Sequence, residues 1–219
     1  WKGGKPFQID TFERAQFPKE KSLTLFKMIN KDLLSKQEKI YITGGRSFFS
    51  PSKIGGVPLV KVHEAEAIGY GGNYLLQHDP QAKKHQNIES FLVVSMGTGT
   101  CMVKVSRQKN GSLHNSHVGG TGVGGGTFLG LCKLLLHQTD IVELKKMFKK
   151  GNSGKVDLSV GDIVGKNFGI VPSSSTASNF GKISREIDFS LDDIAAGIIN
   201  LVGQTIGATA VFAALASDC

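Results

Sequence analysis

"VGGTGVGGGTFLG", residues 118–130, holds seven glycines in thirteen residues. Glycine inside a regular element costs about 0.5–1 kcal/mol relative to alanine, so such a density needs a physical cause. Either the backbone adopts conformations closed to other residues, or something comes very close to it. The stretch runs into "TFLGLCKLLLHQ" (127–138), whose apolar spacing predicts a helix. Upstream, "SFLVVSMGTGTCMVKVSRQKNGSLHNSHVGG" predicts a hairpin or meander. It reads as strand 91–96, a tight "GTGT" turn, strand 100–106 and an Asn110-Gly111 turn.

Outward from this centre, strands and helices alternate, which sets the class as α/β. Leu23, Phe26, Ile29 and Leu33 recur at helical spacing and predict an amphipathic helix over 20–36. "KIYITGG" predicts a strand over 39–43, and "VPLVKV" a second over 57–62, followed directly by the helix-compatible "HEAEAIGYGGNYLLQH". "DIVELKKMFKK" predicts another amphipathic helix, apolar at Ile141, Leu144 and Phe148, with its lysines on the solvated face. "GNSGK" and "VPSSSTASN" read as polar loops. The run "IAAGIINLVGQTIGATAVFAALA" (194–216) is long enough to cross a membrane. Asn200, Gln204, Thr205 and Thr209 interrupt it, and Ser190 with Asp193 forms a capping box, so a buried core helix is expected instead.

Composition narrows the class of partner. Hydrophobic residues at 40% and charged residues at 20% describe a globular chain. The net charge of +8 suits an anionic ligand, but the lysines are scattered and no nucleic-acid motif is present, so no nucleic-acid partner is expected. Cys101, Cys132 and Cys219 lack metal-type spacing and read as reduced thiols of a cytoplasmic protein, with no metal site and no membrane anchor.

Two glycine stretches, "SMGTGT" (95–100) and "GGTGVGGGT" (119–127), sit at strand–turn and turn–helix junctions. A glycine loop feeding a helix N-terminus exposes N–H groups to which the helix dipole adds positive character, an arrangement suited to phosphate. Neither stretch is a Walker loop or a dinucleotide fingerprint. The competing reading is a set of tight turns and close helix packing. Glu64 in "KVHEAEA" falls where a strand hands over to a helix, the edge where open α/β sheets place ligands. A carboxylate there can accept a proton or hydrogen bond from a substrate hydroxyl. Alternatively, Glu64 and Glu66 simply favour the helix N-terminus.

"MGTGT" followed by "VGGTGVGGGTFLGLCKLL" resembles the type II, eukaryotic-like pantothenate kinases. "YITGG", "EAEA", "VGDIVG" and "TASNFGKI" match further family segments in the same order, so the resemblance covers most of residues 20–216. It implies the two-lobed fold of the sugar kinase, heat-shock ATPase and actin superfamily. Residues 1–90 would form a partial N-terminal lobe and 91–219 a partial C-terminal lobe. It also implies ATP and Mg²⁺, pantothenate as phosphoryl acceptor, coenzyme A or acyl-coenzyme A as inhibitor, and a homodimer. Glu64 matches the general base, while Thr98, Gly99, Gly125, Gly126, Thr127, Phe128 and Leu129 match positions lining the ATP site.

Four departures accompany the resemblance. The family's first phosphate-binding hairpin, "GxDxGGTxxK", and its last strand are absent, so the chain reads as a fragment opening at Trp1 and stopping at Cys219. His117 stands where an arginine reaches the pantothenate carboxylate, and Ser95 where the family has asparagine. Imidazole offers no bidentate fork. A non-catalytic sensor of coenzyme A or ATP, or a kinase for another small substrate, are the alternatives.

Overall fold

The computed structural model describes residues 38–185 and 188–219, so the helix expected over 20–36 lies outside the described residues. Tertiary contacts divide the chain into residues 1–67 and 68–219.

In the first unit, β1 (Ile40–Ile42) pairs in parallel with β3 (Val57–Lys61), which pairs antiparallel with β2 (Lys53–Ile54). The β2–β3 hairpin was not visible in the sequence. It turns through Gly55 and Gly56 alone, at φ of 56° and 86°. Two consecutive positive φ values are what a twist-matched two-residue hairpin requires, and glycine supplies them without a Cβ clash. Helix α1 (Glu64–His78) follows β3 directly, with Glu64 and Glu66 in its first turn, and runs across the division at Ala67. The strand-to-helix handover expected at Glu64 is observed.

The second unit is built on the meander β4 (Ser90–Met96), β5 (Thr100–Arg107) and β6 (Leu113–Thr121), antiparallel in that order. Gly111 sits at φ 80° in the β5–β6 turn, and Asn110 Oδ1 accepts the Ser112 N–H at 3.0 Å, as the Asn-Gly pair predicts. On the central strand both Met102 and Val103 are fully buried. Successive strand residues point to opposite faces, so both faces of β5 are covered. The sequence sets no end for the third strand of this meander; in the structure Gly119 and Gly120 belong to β6.

Helices α2 (Gly125–Leu136), α3 (Ile141–Lys150) and α5 (Leu191–Ala216) share one core, centred on Cys132, Leu136, Leu144, Ala195 and Ile198. Helix α2 ends at His137 in the left-handed region, and Asp140 then caps α3 by accepting the Val142 N–H at 2.8 Å. Between α3 and α5, β7 (Leu158–Ser159) leads into the short α4 (Val160–Val164) and pairs with β8 (Thr176–Ser178); β8 lies in "VPSSSTASN", which reads as loop. Among the described residues Cys132 is buried and Cys219 exposed, and neither forms a disulfide.

Helix α5 opens with the expected capping box: Ser190 N–H donates to Asp193 Oδ2 at 2.9 Å, and Asp193 N–H to Ser190 Oγ at 3.3 Å. The expectation that the whole helix is core needs correction. Buried residues run from Asp193 to Ile206, whereas Val211, Phe212 and Leu215 are 57%, 69% and 71% exposed. By length and composition this helix could cross a membrane, since its mean hydropathy reaches 1.7 while 17% of that window is buried.

Candidate functional site

The two glycine stretches meet. Gly125 N–H donates to Gly97 O at 2.8 Å and Gly126 N–H to Thr98 O at 2.9 Å, fastening the β4–β5 turn onto the first turn of α2. Thr100 Oγ1 adds a bond to Val123 O at 2.8 Å. Thr127 closes the corner from within the helix: its hydroxyl donates to Gly122 O at 3.0 Å and receives the Gly124 N–H at 3.3 Å.

The glycines permit this approach. A Cβ on Gly124 would lie 2.7 Å from the Cα, C and O of Gly99. On Gly125 it would lie 2.9 Å from Gly97 O, on Gly126 2.8 Å from Thr98 Cγ2, and on Gly120 2.5 Å from Thr100 O. Carbon atoms need about 3.5 Å, so any side chain at these positions would part the two turns. Close packing therefore accounts for Gly120, Gly124, Gly125 and Gly126. It also spends the Gly125 and Gly126 amide hydrogens on protein carbonyls, so the picture of those two N–H groups facing a phosphate needs correction. Gly119 and Gly122, in contrast, have open space where a side chain would stand. Thr98 is exposed at the tip of the turn, and among the described residues neither its N–H nor its hydroxyl is engaged.

The structure brings Thr98, Gly99, Gly125, Gly126 and Thr127 to one corner. Phe128 and Leu129 follow on α2 and pack against the helical core, Phe128 edge-on to Phe148 with ring centroids 6.2 Å apart. His117 lies exposed on β6 opposite Val103, beside a bulge that falls at Val118. Glu64 is exposed on the first turn of α1 in the other unit, and no side-chain partner holds it among the described residues. The glycine corner itself offers magnesium no carboxylate. Among the described residues no three His, Cys, Asp or Glu stand together.

Sequence reasoning missed a second polar centre. Asp157 is buried, accepting the Phe180 N–H at 2.8 Å and the Asn200 amide at 2.6 Å. Asn200 and Gln204, one turn apart on α5, both donate to Thr176 Oγ1, at 3.3 and 2.9 Å. The signal was present as two amides at helical spacing in an apolar run; their partners lie far off in sequence. Phe180 takes φ 56°, a strained conformation for an aromatic residue, held by that N–H bond and by its ring against the core. Nearby, Lys182 and the Ser159 N–H hold the Asp162 carboxyl well below the ordinary carboxylate range. The N–H groups of Ser190 and Asn152 do the same for Asp193, aided by Lys155.

Residues 4–219 match the family described as Fumble. Over 176 residues the chain is 35% identical to a type II pantothenate kinase of Bacillus cereus strain G9842, covering 78% of the chain and 60% of the relative. A type II pantothenate kinase of Oceanobacillus iheyensis is 33% identical over 173 residues, with 79% and 60% covered. One of Bacillus anthracis is 34% identical over 176 residues, with 78% and 59% covered. The chain thus spans about three fifths of the length of these relatives. With the match running almost end to end and the glycine corner lying inside it, the chain belongs to the Fumble family.

Proposed function

We propose that the protein containing this chain is a pantothenate kinase, moving the γ-phosphoryl of ATP to the primary hydroxyl of pantothenate, and that it folds as a two-lobed actin-like ATPase. The single observation supporting this most strongly is the hydrogen-bonded union of the turn at 97–99 with the first turn of α2. It yields a corner with an exposed Gly122 and, at its tip, a Thr98 whose N–H and hydroxyl are unengaged among the described residues. The names of the relatives supply the acceptor.

In the reaction the acceptor oxygen forms a bond to the γ-phosphorus, the bond from phosphorus to the bridging oxygen breaks, and ADP leaves. The hydroxyl proton passes to the Glu64 carboxylate, whose main task is to orient the alcohol, because the transition state is loose. Thr98 and Gly99 would meet the phosphates from the turn. Gly125, Gly126 and Thr127 hold that turn against α2, whose N-terminus favours negative charge. Phe128 and Leu129 brace the helix from the core. His117 would face the acceptor carboxylate with one hydrogen bond where arginine would give two. The lobes are assigned to residues 1–90 and 91–219, the protein to the cytoplasm, and the working form to a homodimer inhibited by coenzyme A or its thioesters.

His117 favours one second reading, a family member that binds coenzyme A or ATP without turnover. Transfer of label from γ-labelled ATP to pantothenate by the full-length protein tests both. Labelled phosphopantothenate supports the kinase; ATP binding with no transfer to pantothenate or to a panel of small alcohols supports the sensor.

A further inference from the structure

Helix α1 presents Ala65, Gly69 and Gly72 on one face, at spacings of four and three residues. Ala65 and Gly69 are buried. A Cβ on Gly72 would lie 2.5 Å from Val93 Cγ2 and 3.0 Å from Val93 Cγ1, on β4. One on Gly69 would strike the amide of Asn115 on β6 and lie 3.0 Å from Asn115 Cβ. The middle glycine of the group behaves differently: Gly71 is exposed, with nothing within 4 Å of the space a Cβ would take.

Three glycines in a fifteen-residue helix oppose its formation, since each costs about 1 kcal/mol against alanine. Two of them are offset by letting the helix rest closely on the side chains of Val93 and Asn115. Beside this seat Asn115 Oδ1 is buried and has no hydrogen-bond donor among the described residues.

We infer that Gly69 and Gly72 are positioning residues for phosphoryl transfer: they set the depth at which α1 sits, and so the place of Glu64 on the first turn of the same helix. The inference rests on the reading of Glu64 as the base. A methyl group at Gly72 needs about 1 Å of retreat to reach ordinary contact with Val93. Glu64 lies on the same helix, about 12 Å from Gly72 at a rise of 1.5 Å per residue. Misplacing a reacting group by about 1 Å can cost about a hundredfold in rate.

The test is steady-state kinetics of the full-length protein carrying Gly71→Ala, Gly72→Ala, Gly72→Ala with Val93→Ala, or Glu64→Gln, with circular dichroism to establish folding. Gly71→Ala is expected to leave kcat unchanged. Gly72→Ala is expected to lower kcat by about ten- to a hundredfold with an unchanged KM for ATP, a split that loss of folded protein would not produce. Removing the Val93 methyls in that background restores most of kcat, because the space for the new Cβ returns. The inference is overturned if Glu64→Gln abolishes turnover while Gly72→Ala matches Gly71→Ala, or if Val93→Ala gives no rescue. Full turnover by Glu64→Gln overturns the base assignment instead, and this inference with it.

Discussion

Replacing Gly124 with alanine is the sharpest probe of the glycine corner. Its φ of −171° is extended backbone that alanine also adopts, so no conformational penalty confuses the result. What the new methyl meets is main chain: the Cα, C and O of Gly99, all at 2.7 Å. No rotamer change relieves that contact, so the β4–β5 turn and the start of α2 must separate by about 1 Å. Overpacking of this kind costs about 1–3 kcal/mol. Separation also stretches the Gly125–Gly97 and Gly126–Thr98 hydrogen bonds, now 2.8 and 2.9 Å, each contributing about 1 kcal/mol. The expected loss is about 3–5 kcal/mol, a large part of the roughly 5–15 kcal/mol by which domains are stable. Gly122→Ala serves as control, because nothing lies within 4 Å of its new methyl. Urea unfolding of both variants measures the difference. Equal stability of Gly124→Ala and Gly122→Ala would refute the packing explanation.

Two further outcomes follow from the buried carboxylates. Asp193 has a folded-state pKa below its unfolded value of about 3.9, so its stabilisation is complete above that pH and disappears as pH falls through the folded value. Urea unfolding from pH 7 down to pH 2 should therefore show an acid loss that Asp193→Asn reduces, and an identical slope in both proteins would contradict this. Asp157→Ala strands the Phe180 N–H and the Asn200 amide, and should cost about 2–4 kcal/mol in the same assay; a change under about 0.5 kcal/mol, the scale of ordinary surface substitutions, would show that the network is not structural.

Elements with strong local signals were legible in the sequence: the β4–β5–β6 meander with its Asn110-Gly111 turn, the Ser190–Asp193 cap, and the handover from β3 to α1. Their signals lie within a few residues of the structure they specify. Features created by distant partners were not. The β7–β8 pair joins Leu158 to Ser178 through two- and three-residue strands, too short for a period to show. Along α5 apolar residues continue past Ile206, where the buried part ends, so the sequence does not mark which half is buried. The glycine density itself was legible and its cause was not. Whether a missing side chain makes way for a ligand or for another turn depends on where residues 97–99 fold, and that is a tertiary fact. The same holds for α1, where Gly69, Gly71 and Gly72 look alike in sequence and only two of them touch the sheet.

Amide hydrogen exchange of the full-length protein, with and without saturating ATP, tests the nucleotide corner most directly and needs no knowledge of the acceptor. The account predicts that ATP slows exchange at Thr98, Gly99 and Gly122 and through the first turn of α2. Protection confined to other segments, with residues 96–100 and 121–129 exchanging as before, would contradict it.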